Sequence, residues 1–144
     1  MATMQPDLEK LTKELYEAFN AHDLDRFISL HTEDASSENV ATGAVISNRK
    51  DLRAYFANAL AAIPDAKLEL VSCFASGNKQ CEEVILKGTH TGELQGIPAT
   101  GKSFSVREVF IREFREGKTC RVTAYSDNAT LLRQLGVLPS PPQK

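Results

Sequence analysis

Residues 103–127, SFSVREVFIREFREGKTCRVTAYSD, alternate apolar and polar side chains on both sides of Glu116-Gly117. A period of two puts successive side chains on opposite faces of a strand. The stretch therefore reads as a long β-hairpin. Phe104, Val106, Glu108, Phe110, Arg112 and Phe114 share one face of its first strand, and Cys120, Val122, Ala124 and Ser126 share one face of its second. A face this apolar has to be covered, so the rest of the chain must supply a layer to pack on it.

Which faces meet depends on the turn. A two-residue loop, Glu116-Gly117, sets Glu108 opposite Tyr125; a three-residue loop, Arg115-Glu116-Gly117, sets it opposite Ala124. Three-residue hairpins want a left-handed residue in last place, which Gly117 supplies. That register also joins the two more apolar faces, and it is the expected one. Glu108 then sits among Val106, Phe110, Val122 and Ala124 as the only acid on the apolar side of the hairpin. Desolvation raises the pKa of such a carboxyl unless Arg112 or another cation compensates. A raised carboxyl pKa suits a general acid or base working near neutrality.

The covering layer lies upstream. Leu8, Leu11, Leu15 and Phe19 recur at helical spacing, Tyr16 widens their stripe, and a helix is predicted over 7–20. Asp23 is placed to cap a second, short helix carrying Leu24, Phe27, Ile28 and His31. Asn48 caps a third over 49–62, with Leu52, Tyr55, Phe56, Ala59 and Leu60 on one side, stopped by Pro64. Between them, 33–47 is polar, with a weak strand near 36–41 and a turn at Gly43. The period then changes to two: strands are predicted over 67–75 and 80–93 around Gly77-Asn78, with Val84, Leu86, Gly88 and His90 on the even face of the second. A short helix over 129–135 follows the long hairpin, and the tail 140–144 reads as disordered. Helices first and antiparallel strands after them make an α+β fold. One domain is expected over 1–139, in a chain of 144 residues.

Net charge is −2 with no cluster of lysines and arginines, which argues against nucleic-acid partners and a membrane surface. No apolar run nears the ~18 residues of a membrane span, and the first residues lack the apolar core of a signal peptide. A cytoplasmic protein is the expectation. Cys73, Cys81 and Cys120 have no metal-ligand spacing, the three histidines stand apart, and neither metal nor cofactor is expected. Cys73 and Cys81 flank a turn; free thiols are the preferred reading over a disulfide.

Several segments carry a resemblance. GTHTGELQGIPATGK (88–102), the EGK that closes the hairpin strand (116–118), D-x-x-TLLRQLG (127–136) and NAHDLDRFISLHTEDA (20–35) resemble the SnoaL-like polyketide cyclases, a branch of the nuclear transport factor 2-like superfamily. The resemblance implies a cone-shaped, strongly curved sheet wrapped on the helices, an apolar cavity, and a homodimer formed through the outer sheet face. Characterised cyclases of the family carry out an intramolecular aldol condensation on a polycyclic aromatic ester without metal or cofactor. Their acid lies on the last strand. Counting back from TLLRQLG, that position is Ala124 here, and the histidine two residues before it is Val122. On the preceding strand, the family's glutamine and histidine positions fall on Glu108 and Phe110. Asp127 matches an acid that caps the terminal helix.

The scaffold is thus expected without the usual constellation, with Glu108 as a relocated acid and His90, a family position, as a second catalytic candidate. Tyr16, Phe19, Leu86, Phe110, Val122 and Ala124 are expected to contact a small hydrophobic, polyketide- or terpenoid-like carbonyl compound. Three functions compete: a cofactor-independent cyclase or isomerase, a non-catalytic binder of an apolar ligand, and a dimeric interaction module whose cavity would be small or filled.

Overall fold

A computed structural model describes residues 8–139, so the predicted tail at 140–144 lies outside the described residues. The chain runs α1 (Leu8–Asn20), α2 (Leu24–Ser29), β1 (His31–Asn39), β2 (Ala44–Ile46), α3 (Arg49–Ala62), β3 (Lys67–Ser76), β4 (Lys79–Thr89), β5 (Ser103–Arg115), β6 (Lys118–Ser126) and α4 (Asn128–Gln134). The six strands form one curved sheet in the order β2-β1-β6-β5-β4-β3. All neighbours are antiparallel except β1 and β6, which run parallel. The α+β class holds.

The helices form where their apolar stripes and caps require. α1 buries Leu15, Tyr16, Ala18 and Phe19. His22 then turns left-handed, and Asp23 caps α2 by accepting from the amide of Arg26 at 3.2 Å. Asn48 caps α3 the same way, from the amide of Asp51 at 2.8 Å. α3 fully buries only Leu52 and Ala62, because much of its apolar stripe faces open space. Its end rests on β4 and the segment after it. A Cβ on Gly88 would come within 2.2 Å of Ile63 Cγ2, and one on Gly92 within 3.0 Å of the Ala61 and Ala62 backbone. The amides of Thr91 and Gly92 both donate to the Ala62 carbonyl at 3.0 Å.

Three boundaries differ from expectation. His31 opens β1 rather than closing the second helix, which stops at Ser29. β1 runs 31–39, and β2 pairs with it through a turn at Gly43. β4 ends at Thr89, so His90 follows the strand. Cys73 sits opposite Glu82 and Cys81 opposite Phe74, which puts the two free thiols on opposite sheet faces.

The hairpin register is a correction. Arg115 pairs with Lys118, so the loop is the two-residue Glu116-Gly117, both with positive φ (52° and 77°). Two left-handed residues match the twist of the strands they join. A bulge follows: Glu113 pairs with Arg121 and Phe114 with Thr119, leaving Cys120 as the extra residue. The bulge flips which side chains point inward, so Thr119 is buried before it while Val122 and Ala124 face inward after it. Glu108 consequently stands opposite Ser126 rather than Ala124, and Ala124 opposes Phe110.

Candidate functional site

Helices and the concave sheet face leave a cavity of about 160 Å³ between them. α1 contributes Leu15, Tyr16 and Phe19; α3 contributes Tyr55, Phe56, Ala59 and Leu60; the sheet contributes Leu86, Glu108, Phe110, Val122 and Ala124. Glu108 and all six residues expected from sequence to contact a ligand therefore border one space. Edge-to-face contacts tie Phe19, Phe27 and Phe56 into one wall, with ring centroids 4.9–6.2 Å apart.

His90 is not brought to the cavity. It is fully buried, held at Nδ1 by the Thr100 hydroxyl (3.0 Å) and the Thr100 amide (3.3 Å). Accepting from that amide leaves Nδ1 without a proton, so the ring proton is on Nε2. That nitrogen has no partner among the described residues.

Glu108 lies between Val84 of β4 and Ser126 of β6, and the Ser126 hydroxyl donates to its Oε2. Burial raises its pKa above the ordinary carboxylate value, and the serine hydrogen bond offsets only part of this. The one cation on its strand face, Arg112, is spent elsewhere. Arg112 donates through Nε and Nη2 to Glu82 at 2.7 and 3.2 Å, and through Nη1 to the Thr119 hydroxyl at 3.1 Å. Tyr16 donates to the same carboxylate at 2.7 Å, and Gln80 adds a bond at 3.0 Å. Desolvation alone would raise the pKa of Glu82, but Arg112 and these hydrogen bonds hold it below the ordinary value. This closed network forms the floor of the cavity. His31, also at the floor, donates from Nδ1 to the Phe27 carbonyl at 2.9 Å, and burial beside Arg112 lowers its pKa to about 4. It stays neutral.

Two polar groups were not singled out by sequence reasoning. Tyr55, 38 % exposed, sits at the mouth of the cavity, and the Asn39 side chain borders the same space. Burial raises its pKa, Asn39 works against the rise, and the nearby Glu108 charge adds to it. Tyr55 reads in the sequence as part of the apolar stripe of α3, and Asn39 as part of a weak, polar strand. Glu82 was legible in principle: an inward arginine on β5 calls for an acid on the facing side of β4, and only Glu82 stands there.

Residues 10–135 match the family model for SnoaL-like polyketide cyclases. The chain belongs to that family. Solved structures with the same architecture include AclR of Streptomyces galilaeus, a candidate hydroxylase (27 % identity over 94 % of this chain and 88 % of that one, TM-score 0.81). IdmH of Streptomyces antibioticus, a candidate polyketide cyclase, is also 27 % identical over 91 % of this chain and 99 % of its own, with TM-score 0.78. A SnoaL-like protein of Jannaschia sp. CCS1 shares the nuclear transport factor 2-like fold at TM-score 0.84 and 15 % identity, covering 96 % of this chain and 98 % of that one. A search of curated proteins found no match. Within that family the departure is local: the position where the resemblance places the family acid is Ala124, which borders the cavity. Among the described residues, no helix is long and apolar enough to cross a membrane.

Proposed function

We propose that the protein takes a small hydrophobic carbonyl compound into this cavity and acts on it as a cofactor-independent, aldol-type cyclase or isomerase, with Glu108 as the acid/base. One observation carries the reading: a carboxyl bordering an apolar cavity has a serine hydroxyl as its partner in place of a cation. As the carboxylate, Glu108 takes a proton from the carbon next to the carbonyl. The C–H pair becomes a C=C bond and the carbonyl pair moves onto oxygen, giving an enolate. Returning the proton to a different carbon is isomerisation; attack of the enolate carbon on a second carbonyl is cyclisation. Neither changes the overall oxidation state.

The test needs no knowledge of the natural substrate. Acetophenone in D₂O should exchange its methyl protons for deuterium faster with the protein than without it, followed by proton NMR. Glu108→Gln should lower the protein-dependent rate by about 10²–10⁴ while acetophenone affinity stays within a fewfold. Exchange unchanged by that substitution would sink Glu108 as the base.

A second reading, a non-catalytic ligand carrier, is favoured by Val122 and Ala124, which replace proton-transferring residues of the family with hydrocarbon. It expects acetophenone binding with no exchange. The protein is also proposed to form a homodimer through the outer sheet face. There Phe74, Cys81 and Ile111 form one row across β3, β4 and β5, Val109 and Tyr125 form another, and Phe74 and Tyr125 are 70 % and 50 % exposed.

A further inference from the structure

The cavity measures about 160 Å³. An apolar cavity of roughly 150 Å³ holds a single benzene, whereas drug-sized ligands occupy about 300–1,000 Å³. The enclosed space is thus close to the size of one ring and well below that of a polycyclic body. The polar groups are unevenly spread around it. At the floor, Tyr16 and Arg112 are spent on Glu82, and His31 on the Phe27 carbonyl. Apart from Glu108, the remaining polar residues that border it, Ser36, Ser37, Asn39 and Tyr55, lie on the β1 and α3 side.

Asn39 decides what Tyr55 can do. Its Oδ1 already accepts from the amides of Ala41 (3.0 Å) and Thr42 (3.4 Å) in the turn after β1. The group left to face Tyr55 is therefore the side-chain NH₂, a donor that suits the phenol oxygen as acceptor and leaves the phenol O–H for a ligand. Across the sheet, Asn39 pairs with Ala124, Ala124 with Phe110, and Glu108 lies two residues along from Phe110. Tyr55, Asn39 and Glu108 thus bracket one end of the cavity.

We propose that the cavity selects single-ring carbonyl compounds, and that Tyr55, oriented by Asn39, donates its O–H to the carbonyl oxygen at the mouth while the ring lies against the phenylalanine wall. This rests on the cavity being the ligand site, and it adds a size class and an orientation to that reading. Tyr55 is then the group that stabilises the oxyanion formed when Glu108 removes a proton.

Three probes separate these points, with affinities measured by titration calorimetry and ligand-observed NMR. Acetophenone has one ring and a carbonyl; α-methylstyrene has the same shape with CH₂ in place of oxygen; 2-acetylanthracene has the carbonyl on three rings. Acetophenone should bind saturably, α-methylstyrene about three- to tenfold more weakly, and 2-acetylanthracene not at all. Tyr55→Phe should bring acetophenone down to the affinity of α-methylstyrene and leave the latter unchanged. Equal or tighter binding of 2-acetylanthracene would overturn the size class, and equal affinities for the two small probes in the wild type would overturn the role of Tyr55. Both results leave the cavity standing as a ligand site. Failure of all three probes to bind would overturn that reading and this inference with it.

Discussion

A carboxyl whose pKa is raised by burial leaves a mark on stability as well as on activity. Between its unfolded and its raised folded pKa, Glu108 binds more protons in the folded chain than in the unfolded one. Stability therefore falls as pH rises through that window. Above it, the fold carries a desolvated charge supported only by Ser126. Glu108→Gln keeps the shape and still accepts from Ser126, but has no charge to desolvate. It should raise the thermal midpoint by a few degrees at pH 8, and the gain should disappear below about pH 4, where the unfolded carboxyl is protonated too. Scanning calorimetry across pH checks this; a variant no more stable at pH 8 would mean that Glu108 is well solvated. The inward placement of Glu108 was legible because alternation in β5 fixes its face. Its partner was not, because Ser126 comes opposite only through the bulge at Cys120, and no residue type there announces a bulge.

At the scale of elements, β4 and β5 are joined by a charge pair as well as by their ladder. The Arg112–Glu82 pair is almost wholly buried, with side-chain exposures of 5 % and 0 %. Removing one partner strands the other charge where water cannot reach it, which typically costs about 3–5 kcal/mol. Arg112→Met should therefore lower the unfolding free energy by that amount in urea titration. The double variant Glu82→Gln/Arg112→Met should recover most of it, since no bare charge remains. A single variant that loses under ~1 kcal/mol would show that water reaches Glu82. The helices and β3 to β6 could be read from their periods of 3.6 and 2, with Asp23 and Asn48 marking helix starts. β1 was legible only as a weak strand near 36–41 and β2 not at all: HTEDASSEN has one apolar residue, Ala35, in nine, and its strand state comes from pairing with β6. The register of β5 on β6 was hidden for a related reason. Glu116 adopts a positive φ that is uncommon outside glycine, asparagine and aspartate, so the sequence favoured the longer loop.

For the whole molecule, the two faces of the sheet divide the work. The concave face encloses the cavity, and the convex face is left to meet solvent or a second copy. Its charged pairs, Arg107–Glu83 at 2.6 Å and Arg121–Glu113 at 3.8 Å, lie beside the rows built from Phe74, Ile111, Val109 and Tyr125. An apolar centre with a charged border is the usual anatomy of a protein interface. Phe74 is the most exposed large apolar side chain described, and it lies on the outer face opposite Cys81, away from the cavity. A charge introduced there would be desolvated in a dimer and solvated in a monomer. Phe74→Glu should shift the mass measured by light scattering from two chains to one at micromolar concentration, while acetophenone affinity is unchanged. A wild-type mass of one chain would overturn the dimer. A mass of two chains in the variant would move the interface off this face.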